Sequence, residues 1–221
     1  MLDLDLGMNY WMSEQFAYPT KGIVRGKILN AEELEKAGKF GRYEDVDGDG
    51  VPYRTVPGTH HPLAPYFNRG SGHNEKALYS EKPADYKNNM DRLSKKYETA
   101  RTRVPKPEVF ETPGAEVAII ACGTSHWAIT EARDILAAQG LKTSYLRLKS
   151  LPLGPVSKDF INRYPRVYIV DQNRDGQIYE VIRMDIAANE CFRLRSVRHY
   201  DGMPIPASTV VKQILAQEKN K

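Results

Sequence analysis

The spacing of apolar positions changes character near residue 113. Beyond it, short runs of buried-strand type recur: "EVAIIAC" (116–122), "KTSYLRL" (142–148), "RVYIVDQ" (166–172) and "FRLRSV" (192–197). Stretches with helical spacing follow them: "SHWAITEARDILAAQG" (125–140), "VSKDFINRY" (156–164), "GQIYEVIRMDI" (176–186) and "ASTVVKQILAQ" (207–217). Strands that alternate with helices and are apolar on both faces predict a mostly parallel α/β sheet flanked by helices. About 100 residues is an ordinary domain size.

The first half reads differently. Leu2, Leu4 and Leu6 alternate with Asp3 and Asp5, which predicts a strand. "TKGIVRGKIL" (20–29) reads as a second strand broken by Gly22 and Gly26. Asn30 to Gly38 reads as a short capped helix, with Asn30 as N-cap, Glu33 three residues on and Gly38 as the stop. Residues 41–80 show little periodicity, yet Tyr43, Tyr53, Tyr66, Phe67 and Tyr79 are too many aromatics for a disordered linker. The reading is an ordered loop. Residues 83–101 read as a polar helix that opens at Pro83, with Tyr86, Met90, Leu93 and Tyr97 on one face. "VPKPEVFETPGA" (104–115) reads as a proline-rich linker, so the expected domains are 1–112 and 113–221.

Composition narrows the class. The 221 residues carry a net charge of +4 with dispersed basic residues, so no nucleic-acid partner is expected. Cys122 and Cys191 stand far apart, outside any CxxC pattern. That argues against a disulfide framework, a zinc site or an iron–sulfur site made by this chain alone. No apolar run approaches the ~18–20 residues of a membrane span, and the N-terminus lacks signal-peptide order. A cytoplasmic setting is expected.

Candidate chemistry gathers between Glu44 and Pro62. Asp45, Asp47, Asp49 and Gly50 match the front of a calcium loop, but the position of its bidentate Glu holds Val56, and Pro52 and Pro57 forbid the exiting helix. That leaves a simpler divalent-ion site or, preferred, an Asp/Gly turn whose carboxylates accept local N–H groups. Arg54 sits between the two prolines, and Thr59 follows a Pro57-Gly58 turn. A stiff segment pre-organises an arginine to grip a carboxylate or phosphate. Pairing of Arg54 with a preceding aspartate is the equal alternative. His60 and His61 are adjacent, so in extended chain they point opposite ways and share no metal. His73 follows a Gly-Ser-Gly turn. "IIACGTSH" (119–126) is a strand, glycine turn and helix start without a GxGxxG or GxxxxGK[ST] pattern, and reads as a βα turn with a Ser/Thr N-cap. "VDQNRDGQ" (170–177), which contains Asn173, lies where open α/β sheets put functional polar groups.

Six segments taken together resemble a known family: "LDLDLGMNYWMSEQF", "DVDGDGVPYRTVPGTHHP", "YFNRGSGHNE", "NNMDRLSKKYETA", "GTSHWAITEA" and "YIVDQNRDGQ". They are similar to the alpha subunits of 2-oxoacid:ferredoxin oxidoreductases of the 2-oxoglutarate synthase type. The resemblance covers the C-terminal third or so of those longer chains. It implies that residues 1–112 are the tail of a thiamine-pyrimidine-binding domain with a loop and helix connector, and that 113–221 are a transketolase C-terminal-like domain. The family's Tyr-Pro-Ile-Thr segment and its activating glutamate would lie upstream. The implied chemistry is oxidative decarboxylation of a 2-oxoacid on thiamine diphosphate, with electrons passing through a [4Fe–4S] cluster to ferredoxin and the acyl group to coenzyme A. The cluster and the diphosphate–Mg²⁺ site would belong to upstream residues or the beta subunit. The expected partners are that subunit, the upstream alpha/gamma domain, ferredoxin and CoA. Arg54 and Thr59 match the family positions that hold the 2-oxoacid carboxylate. Thr55, His60, Arg69, His73 and Asn173 are further substrate or interface candidates, and Asp45, Asp47 and Asp49 ion-binding or turn support. Two other readings are a stand-alone nucleotide-binding α/β module and a Ca²⁺-dependent interaction module.

Overall fold

β-branched runs with polar ends become the strands of one sheet. A computed structural model of the chain describes residues 18, 20–67 and 72–219. The expected strand at 2–6 and the candidate Arg69 lie outside them. The described chain forms two units; one spans Val104–Lys221 and the other ends at Arg103.

In the C-terminal unit the strands are β1 (Glu108–Phe110), β2 (Val117–Cys122), β3 (Thr143–Leu148), β4 (Arg166–Asp171) and β5 (Leu194–Arg198). They lie in the order β1-β3-β2-β4-β5. All neighbours are parallel except β1, which runs antiparallel to β3 with Val109 opposite Leu146. The mostly parallel α/β reading is correct. The linker reading of 104–115 is not: Glu108–Phe110 closes the sheet edge, and Glu108 meets Arg147 at 3.3 Å and Lys149 at 2.5 Å. The sheet unit therefore begins at Val104, ahead of the expected boundary at 113.

The helices in this unit are Ser125–Ala138, Pro155–Arg163, Gln177–Asp185 and Ala207–Lys219. A short 3-10 helix, Ala188–Arg193, takes the first two residues expected in the last strand. The strand period of two sorts the core into layers. Val117, Ile119 and Ala121 pack with Ile129, Leu136, Val210 and Ile214 on one face. Ala118 and Ile120 pack with Phe160, Ile161, Ile178 and Ile182 on the other. β2 leads to β3 on one side of the sheet, whereas β4 leads to β5 on the opposite side. The strand order thus reverses between the carboxyl ends of β2 and β4, where such sheets bind ligands.

In the unit that ends at Arg103, the helices are α1 (Ala31–Ala37) and α2 (Pro83–Arg103). The α1 boundaries follow the sequence reading. Asn30 accepts from the Glu33 N–H, Glu33 returns the bond to the Asn30 N–H, and Gly38 takes the left-handed C-cap at φ +64°. The expected strand at 20–29 is corrected: Gly22 (φ +70°) and Gly26 (φ +80°) turn the chain, and only Ile28 bridges, in parallel, to Arg54. Among the described residues, 41–80 hold neither helix nor strand, as read. Tyr86, Met90, Leu93 and Tyr97 do share one face of α2, but that face is exposed. The buried residues of α2 are the polar Asn89 and Arg92. Loop backbone, rather than an apolar core, packs against this helix, and it calls for hydrogen-bonding side chains.

Candidate functional site

The aspartate loop is built around a lysine. The Lys27 ammonium lies 2.6 Å from Asp47 Oδ2 and 2.7 Å from Asp49 Oδ1, over the Tyr53 ring at 5.2 Å. Asp45 accepts from the Gly50 N–H and meets Lys95 at 3.4 Å; Asp49 also accepts from the Val51 N–H and meets Arg103 at 3.3 Å. The hydrogen bond from Lys27 holds the Asp47 and Asp49 carboxyls below the usual carboxylate range. Among the described residues, no group of three or more His, Cys, Asp or Glu is arranged to hold a metal. Lys27 thus stands between Asp47 and Asp49 where a cation would be held, which favours the turn role over the ion-binding one. Lysine 22 residues upstream supplies the positive charge, and the turn reading stands.

Gly50 brings this loop onto α2. At φ +74° its Cα lies so close to the helix that an added Cβ would sit 2.3 Å from the Lys96 nitrogen. Arg92 donates to the Gly50 carbonyl and Thr99 to the Asp49 carbonyl. The loop is thus latched to the helix on both sides of Gly50.

The Arg54 segment leaves this anchor in extended form. Arg54 donates its N–H to the Lys27 carbonyl and accepts from Leu29. Its guanidinium Nη2 donates to the Arg25 carbonyl at 2.6 Å. Among the described residues no carboxylate pairs with it, so the reading in which Arg54 neutralises a preceding aspartate is set aside. The next side chain points the other way, as strand geometry requires. Thr55 is buried and donates to the Ala64 carbonyl at 2.6 Å, a structural lock. Gly58 turns the chain at φ +91°. Beyond it Thr59 lines an open groove of about 400 Å³ with Thr55, Pro57, Ala64 and Tyr66. Arg54 is not among the lining residues, so the groove does not unite Arg54 with Thr59.

His60 is exposed. His61 faces inward: its Nδ1 accepts from the Leu63 N–H, so Nε2 carries the proton it donates to Glu35 at 2.9 Å. His73 stacks on Tyr43 at 3.9 Å, and its carbonyl accepts from Asn89 at 2.6 Å. Sequence reasoning missed Arg42 and Arg92. Both guanidinium groups lie over the Tyr43 ring, at 5.1 and 5.6 Å. Polar residues at i, i+3 on the buried face of α2 (Asn89 and Arg92) were the available signal.

In the sheet unit the reversal point is filled from within. Gln172, at the end of β4, donates to the Thr124 and Ser125 hydroxyls at 3.0 and 3.2 Å and accepts from the Ile205 N–H at 3.0 Å. Thr124 does not cap its helix through its side chain, against the N-cap reading. Asn173 accepts from the Gln177 N–H and donates to Asp171. Asp171 in turn accepts from the Ile178 and Tyr179 N–H groups; burial pushes its carboxyl above the usual range despite them. Asn173 is therefore engaged in building a helix start. These bonds occupy the crevice where a nucleotide would lie, which disfavours the nucleotide-module reading. Among the described residues no helix is long and apolar enough to cross a membrane.

The fold is thus a mostly parallel, three-layer α/β sheet unit accompanied by a loop-rich unit. No family model matches the chain. It is 26% identical over 166 residues to subunit alpha of 2-oxoacid:ferredoxin oxidoreductase 2 from Aeropyrum pernix, a match covering 73% of this chain and 24% of that one. It is also similar in structure to 2-oxoglutarate:ferredoxin oxidoreductase from Magnetococcus marinus, solved with 2-oxoglutarate, coenzyme A and succinyl-CoA bound. That likeness has a TM-score of 0.72 at 24% identity and covers 89% of this chain and 33% of the other. A split-gene transketolase superimposes on 50% of the chain with a TM-score of 0.42. The resemblance to 2-oxoacid:ferredoxin oxidoreductase alpha subunits is therefore borne out in sequence and fold. The chain spans about a quarter to a third of the length of these relatives.

Proposed function

We propose that this chain acts as part of the alpha subunit of a thiamine-diphosphate-dependent 2-oxoacid:ferredoxin oxidoreductase. The reaction is oxidative decarboxylation of a 2-oxoacid, with 2-oxoglutarate the first to test, to an acyl-CoA with electrons passed to ferredoxin. The observation that carries the reading is the joint match in sequence and fold to relatives of that name. Within it, residues up to 103 continue a pyrimidine-binding domain, and the sheet unit from Val104 corresponds to the transketolase C-terminal-like domain.

Arg54 and Thr59 are the proposed contacts to the 2-oxoacid carboxylate. Arg54 is held on a bridged, proline-flanked segment and spends one guanidinium N–H on a neutral carbonyl. Exchange of that carbonyl for a carboxylate gives a stronger, charge-assisted bond. The described residues do not fit a cluster or a diphosphate-bound metal: the two cysteines, Cys122 and Cys191, fall short of a [4Fe–4S] ligand set. Those groups are assigned to the beta subunit and to upstream alpha or gamma domains, and ferredoxin and CoA bind through the complex in the cytoplasm.

The test is reconstitution with the beta subunit and upstream domains, assayed by 2-oxoglutarate- and CoA-dependent reduction of a one-electron dye. Activity lost when this chain is omitted supports the reading, and a complex equally active without it removes it. In that complex Arg54→Ala should lower kcat/KM by about 10- to 100-fold, the cost of one or two charge-assisted hydrogen bonds. An unchanged kcat/KM takes Arg54 out of the site.

A further inference from the structure

Arg92 is a buried cation with no ion pair among the described residues. It lies on α2 with 9% of its surface exposed. It spends Nη1 on the Gly50 carbonyl at 3.2 Å, and its Nε has no hydrogen-bond partner. Asp45, a carboxylate acting on it, already accepts from the Gly50 N–H and faces Lys95. A second guanidinium, Arg42, acts on it as a like charge: both lie over the Tyr43 ring, and the Arg42 Nε is likewise buried without a partner among the described residues. Burial first, then Arg42, lowers the Arg92 pKa. Two like charges in one partly desolvated place are costly unless an anion joins them.

A cavity of about 220 Å³ adjoins Arg92. Its polar wall includes His73, Asn89 and Ser80, and its apolar wall Tyr86, Met90 and Leu93. Asn89 is used by the His73 carbonyl, and the Ser80 hydroxyl donates to Asp85 at 2.5 Å. These bonds fix the walls and leave Arg92 as the lining residue of permanent positive charge, with no carboxylate paired to it among the described residues.

We infer that the Arg92 cavity is an oxyanion-binding site, which takes a carboxylate or phosphate group whose carrier rests on Tyr86, Met90 and Leu93. This site is separate from the carboxylate contacts proposed at Arg54 and Thr59, and it does not depend on that assignment. The guanidinium supplies a planar donor fork, the Arg42 charge adds attraction, and the volume admits a group the size of phosphate or a short dicarboxylate.

The test uses the full 221-residue chain at constant ionic strength. Inorganic phosphate and succinate are titrated separately against chloride, with binding read from backbone amide chemical shifts. A saturable response to either, centred on residues 72–80 and 86–93, is expected. Saturation by phosphate alone makes it a phosphate site, and saturation by succinate as well makes it a general oxyanion site. Arg92→Gln should weaken the response at least about tenfold, as expected for loss of a charged donor fork. Should that variant fail to fold, the wild-type map decides by itself. No saturable response, a response centred elsewhere, or equal affinity in a folded Arg92→Gln chain overturns the site.

Discussion

Gly50 approaches α2 so closely that a Cβ has no room there, and Gly50→Ala measures what that approach contributes. At φ +74° alanine adopts a left-handed conformation that costs roughly 1–2 kcal/mol. Its Cβ would lie 2.3 Å from the Lys96 nitrogen and 2.7 Å from the Arg92 carbonyl oxygen. Ordinary contact begins at 3.4 Å, so the loop must retreat by about 1 Å. That retreat breaks the bonds from Arg92 to Gly50 and from Thr99 to Asp49, each worth ~1 kcal/mol. The expected destabilisation is about 3–4 kcal/mol. Gly48 in the same loop also has φ +74°, but its Cβ would meet only the flexible Lys95 ammonium at 3.6 Å. Gly48→Ala therefore carries the strain alone, ~1–2 kcal/mol. Native-state hydrogen exchange of amides at 89–100, read by mass spectrometry, reports the stability of α2 apart from the sheet unit. If the two variants fall within about 0.5 kcal/mol of each other, the resolving power of such comparisons, the close approach contributes nothing and the latch is refuted.

Two further outcomes follow from the charges and from the crevice. Asp47 and Asp49 have folded pKa values below the ordinary 3.8 because Lys27 bonds to them. Their contribution to stability is thus present above the unfolded pKa and lost as pH falls through the lower folded values. Lys27→Met should reduce stability near neutral pH and flatten its decline below about pH 4, followed by exchange at 45–56 across pH; an unaltered acid limb counts against Lys27 as the counter-ion. Gln172→Ala removes three hydrogen bonds that join the ends of β2 and β4 to Ile205, so the sheet unit should lose ~2–3 kcal/mol in urea unfolding, and a loss below ~0.5 kcal/mol would show the crevice closed by other contacts.

The elements that sequence predicted well are those whose hydrogen bonds close within a few residues or whose side chains face one environment throughout. The capping box of α1 needs only Asn30, Glu33 and Gly38. β2 and β4, at the centre of the sheet, are apolar on both faces because helices cover both, so a continuous run suffices to find them. β1 was read as linker because an edge strand of three residues, flanked by prolines, carries no run at all; its pairing with β3 is decided 35 or more residues away.

The amino-acid sequence by itself determined the α/β class, the strand and helix order of the sheet unit, and the residues that resemble the oxidoreductase alpha subunits. Tertiary structure alone decided the charge partners. Lys27 neutralises aspartates that the local pattern offered to a metal, and Gln172 fills a crevice that the strand order left open to a ligand. Arg92 lies on the buried face of a helix whose apolar stripe faces outward. The reason is range: a cap or an apolar run is closed by neighbours in the chain, whereas a buried charge takes whichever partner the fold brings within about 4 Å, and that partner can come from any distance along it.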